Sequence, residues 1–166
     1  GKTIWKQCNQ ASKMLGTQRQ QWTKSNSLSC KYWKTMKGFN ANIEQLTLEN
    51  NHFRKVLYTL NGIQLVLMKL QPWEDIGFEV HDENDQFFRF ESGKGEVVIN
   101  ETIYEVEDGS TIIVPRGARH NVINTSNTEA LKLYTIYTPA HHKNGVIHDT
   151  KAIAEAAEKS GVDEFD

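Results

Sequence analysis

The feature that most restricts the fold of this chain is a series of short strand-like segments with no helix between them. Nine runs of four to eight residues, rich in β-branched and aromatic side chains, lie between residues 56 and 138. The pairs Asn61-Gly62, Ser92-Gly93 and Asp108-Gly109 are typical of tight turns. The runs are 56–60, 63–70, 78–81, 86–91, 96–99, 102–106, 111–114, 121–124 and 131–138. Such a series predicts an all-β fold, an antiparallel sandwich or barrel.

Short helices are predicted on either side of these strands. Residues 42–49 form one, with Asn42 as its cap. A second is expected over residues 151–159, capped by Asp149 and ended by Gly161. We expect the second helix to pack on the outside of the strands.

The most specific motif is Gly109-x5-Pro115-x-Gly117-x2-His120-x3-Asn124. Gly109 belongs to a tight turn into an apolar strand, and Pro115 and Gly117 suit a second corner, because proline fixes φ and glycine accepts unusual backbone angles. His120 then enters the next strand, where an inward direction places an imidazole inside the barrel. The motif resembles the second sequence motif of the cupin superfamily at all five positions.

The first cupin motif, of the form G-x5-H-x-H-x3-4-E-x6-G, has a partial match upstream. Glu79 takes the first histidine position and His81 the second. Gln86 takes the glutamate position, Gly93 the closing glycine, and Trp73 stands in place of the opening glycine. The spacing is kept although three of the five marked positions are changed.

The resemblance covers roughly residues 53–140 and implies a double-stranded β-helix, the cupin jelly roll, with one ligand pocket. It implies a metal site built from Glu79, His81, Gln86 and His120. The opening and closing strands are similar to small single-domain cupins often labelled sugar-phosphate isomerase-like, many of which form homodimers. These associations do not fix the function.

The four predicted ligands are two imidazoles, one carboxylate and one amide. They suit a divalent ion such as Zn, Mn, Fe or Ni, with the amide as the weakest donor. Without Gln86, the set becomes two histidines and one carboxylate with open positions, which suits non-haem Fe(II) or catalytic zinc. The alternative is a site without metal, in which the four side chains form a buried polar network or bind ligand directly.

Further residues are assigned to the pocket or to the surface. Phe88, Phe90 and Tyr137 are expected to line the barrel, mainly as core. Arg116 and Arg119 flank His120 near the rim, where they can hold a phosphate or carboxylate of a substrate. The remaining histidines are predicted to be superficial: His52, His141, His142 and His148.

Charge divides the chain into two parts. Residues 1–35 hold seven Lys/Arg and no Asp or Glu, so the rest carries 12 of the 19 basic and all 21 acidic residues. We predict that residues 1–35 are a poorly ordered extension or leader, with an organelle transit peptide as the alternative. Residues 36–166 are predicted to be one domain, with its last helix at about 150–160. Its acidity argues against nucleic-acid binding.

Cysteine and hydropathy patterns bear on the compartment. Both cysteines, Cys8 and Cys30, lie in the basic segment, which fits a reducing compartment such as the cytoplasm. No apolar run of about 18 residues exists, so neither a membrane span nor a membrane partner is expected.

Three functions are compatible with these observations. The first is a metal-binding cupin that acts on or binds a small polar metabolite such as a sugar or sugar phosphate, as an isomerase or epimerase if it is an enzyme. The second is an Fe(II)-dependent dioxygenase. The third is a non-catalytic protein that binds a small molecule. No residue is predicted to be a general base.

Overall fold

The computed structural model of the protein describes residues 38–161. The chain divides into two units after Asn40, and the second unit contains nearly all of the described residues. The basic segment predicted over residues 1–35, with both cysteines, lies outside them.

The described residues contain nine strands and two helices. In chain order they are α1 (Ile43–Glu49), β1 (Arg54–Leu60), β2 (Ile63–Leu70), β3 (Asp85–Ser92), β4 (Lys94–Ile99), β5 (Thr102–Glu107), β6 (Thr111–Val114), β7 (His120–Asn124), β8 (Leu131–Thr138), β9 (Ile147–His148) and α2 (Lys151–Lys159).

The strands form two antiparallel sheets. One has six strands in the order β6-β3-β8-β2-β1-β9, and the other has three in the order β5-β4-β7. Side chains alternate along β8, where Leu131, Leu133, Thr135 and Tyr137 are buried. Leu131, Leu133 and Tyr137 form one hydrophobic core with residues of the smaller sheet: Val97, Val106 and Val122. The predicted all-β jelly roll is therefore confirmed.

Both predicted helices are present, and one predicted cap is wrong. Asn42 caps α1, because its Oδ1 accepts a hydrogen bond of 3.1 Å from the backbone of Gln45. The cap of α2 is Thr150 and not Asp149, whose carboxylate lies 2.5 Å from the ring of His52. Gly161, with φ of +66°, follows the end of α2. No helix within residues 38–161 has the length and apolarity needed to cross a membrane.

The strand prediction fails in two places. Residues 78–81 do not form a strand and pair only at Glu79, which bridges to His120. The segment after His141 contains β9, which pairs with β1 and was not predicted. Both segments are short and are fixed by pairing with distant residues, so their local sequence has little influence.

Asn124, the last residue of the second motif, ties two loops to the end of β7. Its side-chain amide is buried and donates to the carbonyls of Leu70, Gln71 and Glu129, while its Oδ1 accepts from the backbone of Ser126. Every polar atom of the amide is therefore satisfied, as burial requires. Asn124 therefore has a structural role, and His120 is the candidate ligand in this motif.

Gly95 of β4 lies where no side chain fits, and its replacement should destabilise the protein. A Cβ at this position would lie 2.3 Å from the carbonyl oxygen of Ile123 and 2.8 Å from Leu131. We expect Gly95→Ala to lower the free energy of unfolding by about 2 kcal/mol or more, because the backbone of β7 must move. Urea denaturation measures this change in the free energy of unfolding. The control is Gly62→Ala, whose Cβ meets nothing within 4 Å; equal midpoints for the two variants would contradict the prediction.

Candidate metal centre

Glu79 and His120 are brought together by direct backbone pairing. The N–H of each residue donates to the carbonyl of the other at 2.9 Å. Residues that exchange both hydrogen bonds in an antiparallel pair project their side chains to the same face. The carboxylate of Glu79 and the imidazole of His120 therefore lie on one side, 4.0 Å apart between Oε2 and Nε2.

His81 completes a cluster of three candidate ligands. Its Nε2 lies 3.2 Å from Oε2 of Glu79, and its ring centre lies 5.4 Å from that of His120. The corner of the second motif fixes its backbone, since the N–H of Gly117 donates to the carbonyl of His81 at 2.9 Å. One donor atom from each of the three residues lies within 4.8 Å of the others.

The surroundings of His120 prepare one ring nitrogen to bind a cation. Its Nδ1 lies 3.1 Å from the carbonyl of Ala118, which assigns the proton to Nδ1 and leaves a lone pair on Nε2. That Nε2 is buried and has no hydrogen-bond partner among residues 38–161. Burial also lowers the pKa of His120, which favours the neutral ring. A neutral imidazole with its other nitrogen held by a carbonyl is the usual form of a histidine ligand, so the residues fit a divalent ion.

A buried arginine, Arg54, faces Glu79 from β1. Its guanidinium is 2% exposed and lies 3.7 Å from Oε1 of Glu79 and 2.5 Å from Glu158 on α2. Burial raises the pKa of Glu79, but the hydrogen bond with His81 and the charge of Arg54 outweigh it and hold that pKa below its ordinary value. Glu79 is therefore a carboxylate at neutral pH.

Arg54 was missed at the level of sequence. The strand alternation could have revealed it. Arg54 precedes Val56 by two residues, so the two side chains lie on the same buried face of β1.

Gln86 lies on β3, opposite Tyr137 of β8. Its Nε2 donates to the hydroxyl of Thr135 at 3.0 Å, while its Oε1 is buried and has no partner within the described part of the chain. The amide oxygen is thus the atom that remains available to a cation. The role of Gln86 as fourth ligand stays a prediction.

The aromatic residues assigned to the barrel interior are buried there. Phe88 and Phe90 are fully buried, and the ring of Phe88 lies 6.1 Å from that of His120. The ring of Tyr137 lies 5.6 Å from that of His81, and burial raises the pKa of its hydroxyl. Phe88 and Tyr137 thus lie beside the candidate ligands, and Phe90 belongs to the core.

Arg116 and Arg119 are exposed and engaged in surface contacts. Arg116 lies 2.6 Å from Asp85 and, by hydrogen bonding, lowers the pKa of that carboxyl to about 2. The guanidinium of Arg119 stacks 3.5 Å above the ring of Phe78. Their predicted contact with substrate stays a prediction.

The histidines predicted to be superficial after β8 are not so. His142 and His148 are only 3% and 5% exposed, and His141 is partly buried with its ring 4.4 Å from that of His81. The prediction is wrong because distant strands hold these residues. Gln64 of β2 hydrogen-bonds the backbone of His141 and His142, and His148 pairs with β1. Burial lowers the pKa of His141 to about 4 and that of His142 well below its ordinary value.

Known proteins resemble the chain in sequence and in structure. The Cupin_2 family model, described as "Cupin domain", matches residues 66–137. The uncharacterized protein YrkC of Bacillus subtilis (strain 168) is 48% identical over 128 residues, which cover 74% of this chain and 68% of YrkC.

Solved structures agree with the family match. The crystal structure of a Bacillus halodurans protein is 44% identical with a TM-score of 0.71, covering 74% of this chain and 97% of that one. A Schizosaccharomyces pombe cupin domain is 20% identical with a TM-score of 0.52, covering 57% of this chain and 67% of that one. The second match bears on the fold alone.

Proposed function

The chain belongs to the cupin family, and we propose that it binds one divalent metal ion and acts on a small polar metabolite, such as a sugar or sugar phosphate. One observation carries the proposal: Glu79 and His81 converge on the buried, unpartnered Nε2 of His120. A polar atom buried without a partner is costly unless something satisfies it. A cation bound by these three side chains would satisfy it.

The residues around the site have distinct roles in this proposal. Glu79, His81 and His120 would hold the ion, and Arg54 would keep the carboxylate ionised. When bound, a divalent ion polarises a carbonyl or hydroxyl oxygen of a ligand. The buried rings of Phe88 and Tyr137 would exclude water from one side of the ligand.

An Fe(II)-dependent dioxygenase is the second candidate. The cluster of Glu79, His81 and His120 favours it, because one donor atom from each lies within 4.8 Å of the others, whereas the amide of Gln86 is the weakest donor of the predicted set. Two histidines and one carboxylate then remain, the ligand set of many non-haem Fe(II) oxygenases. Metal identity separates the two candidates, since redox-inactive zinc excludes the second.

Elemental analysis of protein purified without chelators or a polyhistidine tag tests the proposal. We expect about one metal ion per chain in the wild type and less than about one tenth in Glu79→Gln, which removes the only anionic donor and keeps the shape. The control is Glu83→Gln, an exposed acid of the neighbouring loop. Substoichiometric metal in the wild type would refute the site. A well-folded, metal-free protein that still binds the metabolite would support a non-catalytic cupin.

The homodimer, the cytoplasmic location and the absence of nucleic-acid and membrane partners stay predictions from the sequence. Sedimentation of the purified protein tests the first of these.

A further inference from the structure

The two oxygens of the Glu79 carboxylate have different neighbours. Oε2 faces the imidazoles, at 3.2 Å from Nε2 of His81 and 4.0 Å from Nε2 of His120. Oε1 faces a cation, at 3.7 Å from Nη2 of Arg54. One oxygen is therefore available to an ion that the histidines bind, while the other lies beside a buried guanidinium.

Arg54 gives its hydrogen bond to a different carboxylate. Its Nη1 donates to Oε1 of Glu158 at 2.5 Å, whereas the 3.7 Å between Nη2 and Glu79 exceeds the length of a hydrogen bond. The guanidinium is almost fully buried, so protein groups rather than water must balance its charge. Two carboxylates thus share one buried cation, and Glu158 makes the closer contact with it.

The position of Glu158 is set by the packing of α2. Lys151, Ala154 and Glu158 are spaced by three and four residues, which places them on one face of the helix. Ala154 is buried on this face, and Lys151 pairs with Asp75. The helix is therefore anchored along the same face that brings Glu158 to Arg54.

We propose that Glu158 is a positioning residue of the candidate metal centre, which acts through Arg54 to keep Glu79 available to the ion. This inference rests on the proposed function, because it requires Glu79 to bind metal. While Glu158 balances the guanidinium, the carboxylate of Glu79 keeps its negative charge for a divalent ion. Without Glu158, the whole charge of Arg54 falls on Glu79 and competes with the ion for that carboxylate.

The direct effect of Glu158 on the ion is small by comparison. Its side chain is 43% exposed, so water and salt screen its charge. Arg54 is buried between the two carboxylates and transmits the effect at short range. The influence of Glu158 on metal binding should therefore depend on the presence of Arg54.

Competition titration of zinc against a chelating dye, with the untagged full chain, tests the inference. We expect the zinc dissociation constant of Glu158→Gln to rise by about 10- to 100-fold, the range typical of residues that hold a metal ligand in place. Glu158→Asp keeps the charge and should bind zinc more tightly than Glu158→Gln. The matched control is Glu155→Gln, an exposed acid of the same helix that pairs with Lys151 and should bind zinc like the wild type.

A second pair of variants shows whether Glu158 acts through Arg54. In the background Arg54→Met, which removes the buried cation, Glu158→Gln should change the dissociation constant by no more than about twofold. This pair also keeps the test decisive if Glu158→Gln alone does not fold, because Arg54→Met leaves no buried guanidinium without its partner.

Three results would overturn the inference, and two of them leave the proposed function intact. Equal zinc affinity in the wild type and Glu158→Gln would show that Glu158 only docks α2 on the barrel. An equal loss of affinity from Glu158→Gln with Arg54 and with Met at position 54 would show that Glu158 does not act through the guanidinium. A wild type that binds no zinc, cobalt or iron would overturn both the inference and the proposed function.

Discussion

Replacing His120 by alanine should abolish the stabilisation of this protein by metal. At a free metal concentration 1,000 times its dissociation constant, a ligand that binds only the folded state adds about 4 kcal/mol to the free energy of unfolding. We expect this gain in the wild type and less than about 0.5 kcal/mol in His120→Ala, because the variant lacks the buried imidazole of the three-ligand cluster. Thermal unfolding with and without zinc, cobalt or iron measures the difference.

The comparison is made within each variant, so the cavity left by His120→Ala does not affect it. His52→Ala controls for the loss of a histidine from the chain and should keep the full gain. Equal metal-dependent shifts in His120→Ala and the wild type would show that the ion binds elsewhere.

In the absence of metal, the protein should lose stability steeply as the pH falls from 7 to 4. Burial lowers the pKa values of His120, His141 and His142 in the folded state. Below pH 6.5 the unfolded chain takes up protons on these rings while the folded chain does not, so acid favours unfolding. The stability that neutral rings allow is thus complete above pH 6.5 and is lost as the pH approaches the folded pKa values.

The loss of stability due to His141 can be calculated from its pKa. A shift from 6.5 to about 4 corresponds to about 3 kcal/mol over this pH range. Glu79, whose pKa is also lowered, adds a further loss below its ordinary value of 4.5. Urea denaturation at pH 7, 6, 5 and 4 in the presence of a chelator measures the slope.

His141→Ala should reduce this pH-dependent loss by about 3 kcal/mol. A free energy of unfolding that stays level between pH 7 and 5 in the wild type would contradict the prediction.

Local sequence predicted the parts of the fold that depend on period and turn chemistry. The runs 63–70 and 131–138, rich in aliphatic and β-branched residues and bounded by turn residues, gave strands with the observed bounds. The fixed spacing of the second motif located His120, because a corner and a strand entry restrict the backbone strongly. Glu79 and His81 were identified from their places in the first motif, although the strand predicted to carry them is absent.

Residues whose environment is set by distant segments could not be predicted in this way. His142 lies in an irregular segment, and its backbone is hydrogen-bonded by Gln64, 78 positions earlier, while its ring packs against Tyr137. Arg54 is buried because Glu79 and Glu158 neutralise it, and neither lies near it in the sequence. The bias of charged residues towards the surface is therefore a poor guide at this site.

The contacts of Arg54 also determine when the centre can be completed during synthesis. β1 is one of the first strands to be translated, and its outer edge pairs with β9. The guanidinium of Arg54 on this strand pairs with Glu158 of α2. A nascent chain that has not yet reached these segments would carry a buried cation with one of its two carboxylate partners missing. Glu158 is translated about a hundred codons after Arg54. We therefore expect the candidate metal centre to fold completely only after residue 158 has left the ribosome.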